Sequence, residues 1–163
     1  MSANKKPRKA YRPRKVTADT LRLAIFGAAK PAPEERAEIM DKVSQAISRL
    51  SDGSASEHDW SVVSGALSVA DEIEKRGIVR GVQDQIDRAA AAMQRIYDSA
   101  WSSGAWGCNP PGAEDIEAIQ EFEAIHKFQI DQLSRGELLD VIDRAQRSIK
   151  KAGHTVAIEK AEA

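Results

Sequence analysis

The chain has 163 residues and 42% hydrophobic content, enough to bury a one-domain core without metal or disulfide staples. Its one cysteine, Cys108, excludes an internal disulfide framework and fits a reducing compartment, and no apolar run approaches the roughly 18 residues of a transmembrane helix. The net charge of −1 hides a division: residues 1–16 hold seven Lys and Arg and no acid, leaving 24 − 7 = 17 bases against 25 acids elsewhere, a net of −8.

Aromatic residues are scarce at 5%, and no alternating run of β-branched residues is long enough to read as a strand. The expected class is therefore all-α, a helical bundle.

Residues 1–16 combine two prolines with low hydrophobicity and like charge, a composition that predicts a flexible basic arm. Lys5, Lys6, Arg8, Lys9, Arg12, Arg14 and Lys15 supply cations for phosphate oxygens, and Tyr11 supplies a ring that can stack on a base. An arm without fixed geometry gives affinity for nucleic acid but little sequence specificity. The same charges suit an acidic protein surface, including a neighbouring copy of the chain, or serve only solubility.

Leu21 to Ala29 follows this basic stretch, so a secretory signal must be weighed. Arg22 interrupts the apolar run and the basic region is long for a signal, which makes the cytoplasm the expected location. Thr17 is placed to cap a short helix in which Leu21, Ala24, Ile25 and Ala28 share a face. Pro31-Ala32-Pro33 ends it, and Pro33 opens the next.

A second helix, 33–51, carries the stripe Ile39, Val43, Ala46, Ile47, Leu50 and stops at Asp52-Gly53. Ser56 stands three residues before Asp59, a capping-box start for a third helix over 57–76. That helix uses Trp60, Val63, Leu67 and Ala70, with Ile73 on the margin, and Gly77-Ile78 suits a Schellman stop. A second stripe beside it, Val62, Ala66 and Val69, leaves room for a homodimer.

The stretch Val79 to Gly104 is the longest uninterrupted periodic segment, with Val82, Ile86, Ala89, Met93, Ile96, Tyr97 and Ala100 on one side. A helix over 80–103 would be roughly 33 to 36 Å long and is the expected scaffold of the domain. Gly104 to Gly112 reads as a loop. A fifth helix over 113–133 turns Ile116, Ile119, Phe122, Ile125 or His126, Ile130 and Leu133 inward. Ser134 and Glu137 repeat the capping pattern before a sixth stripe, Leu138, Val141, Ile142, Ala145 and Ile149.

The expected domain is thus a bundle over 17–153, with four long helices (33–51, 57–76, 80–103, 113–133), two shorter flanking ones and a frayed tail at 154–163. The echo between Ile47-Ser48-Arg49-Leu50-Ser51-Asp52-Gly53 and Ile130-Asp131-Gln132-Leu133-Ser134-Arg135-Gly136 is accounted for by shared junction chemistry.

Chemistry-bearing patterns are few. Arg135, Arg144, Arg147, Lys150 and Lys151 around a short turn suggest a helix-turn-helix, but Glu137, Asp140 and Asp143 are interleaved with them. Glu123 and His126 make one Glu-x-x-His step, where a di-iron bundle needs two and further glutamates. Cys108 has no neighbouring base to activate it. No phosphate-cradling loop, nucleophile elbow or zinc spacing occurs, so the expectation is a non-enzymatic protein without metal or cofactor. Trp106, beside Trp101 on the Gly-rich loop, is the candidate partner-binding residue, with a cap on the end of the bundle as its alternative role.

Four phrases together carry a resemblance: Lys6-Pro7-Arg8-Lys9-Ala10-Tyr11-Arg12-Pro13, Ala70-Asp71-Glu72-Ile73-Glu74-Lys75-Arg76-Gly77-Ile78-Val79-Arg80-Gly81, Gly104-Ala105-Trp106 and Gln132-Leu133-Ser134-Arg135-Gly136-Glu137. In these the chain resembles small helical proteins encoded by phages and prophages of Gram-negative bacteria. The resemblance implies a setting, an infected host cytoplasm in which nucleic acid and host defence proteins are the targets. The expected function is a nucleic-acid-binding arm on a body for assembly or protein contact, with a pure protein-interaction module as the alternative.

Overall fold

In the computed structural model, residues 18–153 are described, and among them the chain forms six α-helices and no strand. The helices are α1 (Ala18–Ala28), α2 (Pro33–Asp52), α3 (Glu57–Lys75), α4 (Gln83–Ala100), α5 (Ala113–Gln132) and α6 (Arg135–Lys151). The expected arm, the Thr17 cap and the C-terminal tail lie outside the described residues.

The punctuation follows the local chemistry. Ser56 Oγ accepts the Asp59 N–H at 3.2 Å while Asp59 Oδ2 accepts the Ser56 N–H at 2.8 Å, a reciprocal cap that starts α3. Ser134 and Glu137 do the same for α6, at 3.3 and 2.8 Å. Helix α3 ends in a Schellman motif, the Gly77 N–H on the Glu74 carbonyl at 2.8 Å and the Ile78 N–H on the Ile73 carbonyl at 3.3 Å. Gly77 sits at φ +69°, a conformation that favours a residue without a β-carbon.

The organising helix is α3 rather than the segment from Val79 to Gly104. Helix α4 has 18 residues, about 27 Å, and is shorter than α2 and α5 with 20 each. It starts late because Gly81 adopts φ +89° and ties its N–H to Glu74 Oε1 at 2.8 Å, which keeps 78–82 in a turn. Helix α3, by contrast, packs against α2, α4, α5 and α6. Two of its faces are buried, one through Val63, Leu67 and Ala70, the other through Val62, Ala66 and Val69. The second stripe, expected to be free for a homodimer, is therefore covered within the chain.

Two hydrophobic clusters result. One joins α2 to α5 through residues such as Ile47, Leu50, Val63, Met93 and Phe122. The other joins the start of α2, the end of α3 and the end of α5 to Leu138, Val141, Ile142 and Ala145 of α6. Helix α6 has 17 residues and supplies core, so it is neither short nor merely flanking. Only α1, with 11 residues and none buried, lies outside the core.

Candidate functional site

Among the described residues, most of the large apolar side chains that face outward belong to α1, with Phe128 of α5 and Leu139 of α6 exposed elsewhere. Leu21, Leu23, Ile25 and Phe26 are 53%, 73%, 64% and 53% exposed, whereas an amphipathic helix ordinarily hides such residues. The shared face of Leu21, Ala24, Ile25 and Ala28 exists as the spacing predicts, but it is turned away from the body.

The helix is nonetheless held firmly at its C-terminal end. Gly27 and Gly136 bring α1 and α6 together with backbone against backbone, the space at Gly136 being tight for even a β-carbon unless α1 shifts slightly. The Arg135 N–H donates to the Ala29 carbonyl at 2.7 Å, and the Arg135 guanidinium lies 4.2 Å from the centre of the Phe26 ring while pairing with Glu35 of α2. Lys30 Nζ donates to the Asp131 carbonyl at 2.9 Å, and Arg36 pairs with the Asp131 carboxylate at the same distance. Pro31 is buried beneath this junction. Helix α1 is thus fixed to the body at one end, and it follows a segment that is not described. The residues predicted to bind nucleic acid, Lys5, Lys6, Arg8, Lys9, Tyr11, Arg12, Arg14 and Lys15, lie in that segment, outside the described residues.

The other predicted residues fall at separate places. Trp106 is half-buried at one end of the helices, where its Nε1–H donates to the Ala55 carbonyl at 2.9 Å. Its ring is 6.3 Å from Tyr97 and 6.2 Å from Trp101, and Tyr97 is 4.9 Å from Trp60. All three tryptophans of the chain therefore gather around Tyr97. Cys108 packs beside them, and its thiol is pushed up by burial, with Asp52 and Asp59 acting in the same direction against a backbone bond near Ala55.

The basic residues around the α5–α6 turn do not present a reading face. Arg135 points at Glu35 and Phe26, Arg144 pairs with Asp140 and Arg147 with Asp143 on the same helix. Glu123 accepts a hydrogen bond from Ser44 Oγ, and among the described residues no three His, Cys, Asp or Glu side chains converge as metal ligands.

His126, rather than Ile125, is the residue of that pair that is fully buried. Its ring stacks on Phe122 with centroids 5.5 Å apart, and Nδ1 has no hydrogen-bond partner among the described residues. It faces a cavity of about 20 Å³ lined by aliphatic side chains of α2, α3, α5 and α6. Burial lowers its pKa to about 4, against a smaller opposing effect of Gln129, so the imidazole is neutral. Gln129, also buried, donates from Nε2 to the Ala70 carbonyl at 3.2 Å and so ties α5 to α3. Neither role of these two residues was marked in the sequence beyond the ambiguity between positions 125 and 126.

No helix among the described residues is long and apolar enough to cross a membrane. No protein-family model matches the chain, and no curated protein or solved structure shows a significant likeness to it. What is defined is an all-helical protein with an outlying amphipathic helix.

Proposed function

We propose that the chain is a non-enzymatic accessory protein of phage type. Its basic segment, residues 1–16, binds nucleic acid, and its helical body, a bundle of α2 to α5 extended by α6, serves assembly or a protein contact. The observation that carries this reading is the separation of charge, +7 in residues 1–16 against −8 in the remainder.

The ion pairs of the body support it. Arg36, Arg49, Arg76, Arg88, Arg95, Arg135, Arg144 and Arg147 are each held by a carboxylate, so their forks are committed before any phosphate arrives. The cations without acidic neighbours in sequence are those of the arm.

The test is binding of a fluorescent duplex and a single strand across a salt series. The expected log-log slope is as steep as about −6 if all seven charges meet duplex phosphates. Deleting residues 1–16 is expected to abolish binding and leave the helical circular dichroism intact. Affinity retained after the deletion would refute the role of the arm.

The second reading, a pure protein-interaction module that neutralises or scaffolds a host or virion protein, is favoured by the exposed apolar residues of α1. It predicts no nucleic-acid affinity near physiological salt and a protein partner lost on Trp106→Ala or on Leu21→Glu. The two substitutions assign the contact to the aromatic end or to α1.

A further inference from the structure

We propose that His126 is an acid-sensitive latch on α6. When its buried imidazole takes up a proton, α6 swings off α3 while the core of α2 to α5 stays folded.

The ring stands where the two hydrophobic clusters meet, at a cavity shared by four helices. No charged side chain lines that cavity: α2 presents Ile39 and Val43, α3 presents Val62 and Val69, and α6 presents Leu138 and Ile142. On α5 itself, Glu123 lies one turn before His126, and its carboxylate is engaged by the Ser44 hydroxyl of α2. Gln129, one turn after, is the group that favours the charged ring, and it is neutral. A protonated imidazole therefore brings a unit charge and a second N–H donor into an aliphatic site that holds no carboxylate to meet them.

Such a charge is relieved by the wall that gives way most easily. Helix α5 is held by α2, α3 and α4, sends Ile119 and Phe122 into the first cluster and is pinned to α3 by the bond from Gln129 to the Ala70 carbonyl. Helix α6 supplies no residue to the first cluster, and no described helix follows it. It is fastened at its start, where the Arg135 N–H meets the Ala29 carbonyl and the guanidinium meets Glu35. Beyond that point it is held by Leu138, Val141, Ile142 and Ala145 and by the partly exposed pair of Asp140 with Arg76 of α3. The turn at Ser134-Arg135 is thus the pivot, and the rest of α6 is the part that moves. Bonds from the Ser134 backbone and hydroxyl hold the Glu137 carboxyl below the usual range, so the cap survives while the imidazole titrates and α6 moves as a formed helix.

The direction follows from linkage. The closed state holds the ring near pKa 4 and the open state returns it to water and to about 6.5, so opening becomes more frequent as pH falls through 6.5 and gains no more below 4. At pH 5 the gain is about 30-fold.

The experiment is amide hydrogen exchange of the full chain at pH 7.5 and 5, corrected for the intrinsic pH dependence of exchange, beside His126→Leu. The amides of 138–149 are expected to lose about 30-fold in protection at pH 5 and to exchange there at least about tenfold faster than the best-protected amides of α3 and α4. His126→Leu is expected to abolish the pH effect on α6, and circular dichroism checks that the variant folds. Should it not fold, His126→Gln makes the same comparison. Exchange of α6 in step with α3 and α4 at both pH values overturns the proposal, because the chain then opens only as a whole. Protection of α6 that ignores pH, or that falls equally in the variant, overturns it as well.

Discussion

A β-carbon added to Gly136 would stand 3.0 Å from the carbonyl oxygen of Gly27 and 3.3 Å from its Cα. Glycine at 136 is thus what allows α1 to lie on α6. Gly136→Ala brings a helix-propensity gain of up to about 1 kcal/mol against this clash, and α1 can yield because it buries nothing. Global stability in denaturant is expected to stay within about 1 kcal/mol of the parent, while the Arg135 amide, bonded to Ala29, exchanges its hydrogen faster. A loss of several kcal/mol would mean that α1 is integral to the core.

His126 makes stability depend on pH in a defined window. Its folded pKa of about 4 lies below the ordinary 6.5, so the unfolded chain takes up the proton first as pH falls. Stability is complete above 6.5, declines between 6.5 and 4, and loses no more to this group below that. The total is about 3 kcal/mol, and His126→Leu should remove that portion of the slope in urea titrations at pH 7 and 4.5. An unchanged slope would show that the ring is hydrated.

Asp59 joins two roles, capping α3 and receiving Arg49 at 2.9 Å. Burial pushes its carboxyl up, but the bonds from Ser56 and Arg49 outweigh this and hold it below the usual range. Its contribution is therefore present above about pH 4 and lost below that. Ser56→Ala and Asp59→Ala should each cost about 1 to 2 kcal/mol, and the double variant less than their sum, since each removes the same reciprocal cap. Additive losses in thermal melts would argue against the shared motif.

Trp106→Phe separates hydrogen bonding from packing at the aromatic end. It keeps a ring near Tyr97 and Trp101 but removes the bond to Ala55, for an expected loss of about 1 kcal/mol by denaturant unfolding. Trp106→Ala should cost more, because the loop 101–112 also leans on the α2–α3 turn, where Pro110 sits close to Gly53. Equal losses would show the ring itself to be dispensable.

The helices and their caps were legible because they are written in adjacent residues. Ser56 with Asp59, Ser134 with Glu137 and Gly77 with Ile78 each form bonds within a few positions. The stripe of α2 was readable for the same reason, and all five of its named residues are buried. What periodicity does not contain is the identity of the covering surface. Leu21 and Ile25 look as buriable as Ile47 and Leu50, yet α1 is left uncovered. Val62 and Val69 look like a spare face, yet α5 and α6 arrive from far along the chain to cover it. Helix α3 is central because Gly65, Ala66 and Ala70 let neighbours approach on several sides, a property that its modest length conceals.

Both hydrophobic clusters are built from residues between Ile39 and Ala145, and no side chain of α1 enters either. The leader is thus joined to the rest like an interchangeable fitting, fastened mainly through Arg135 and a pair of glycines. Its exposed face can be rewritten without redesigning the interior that supports it.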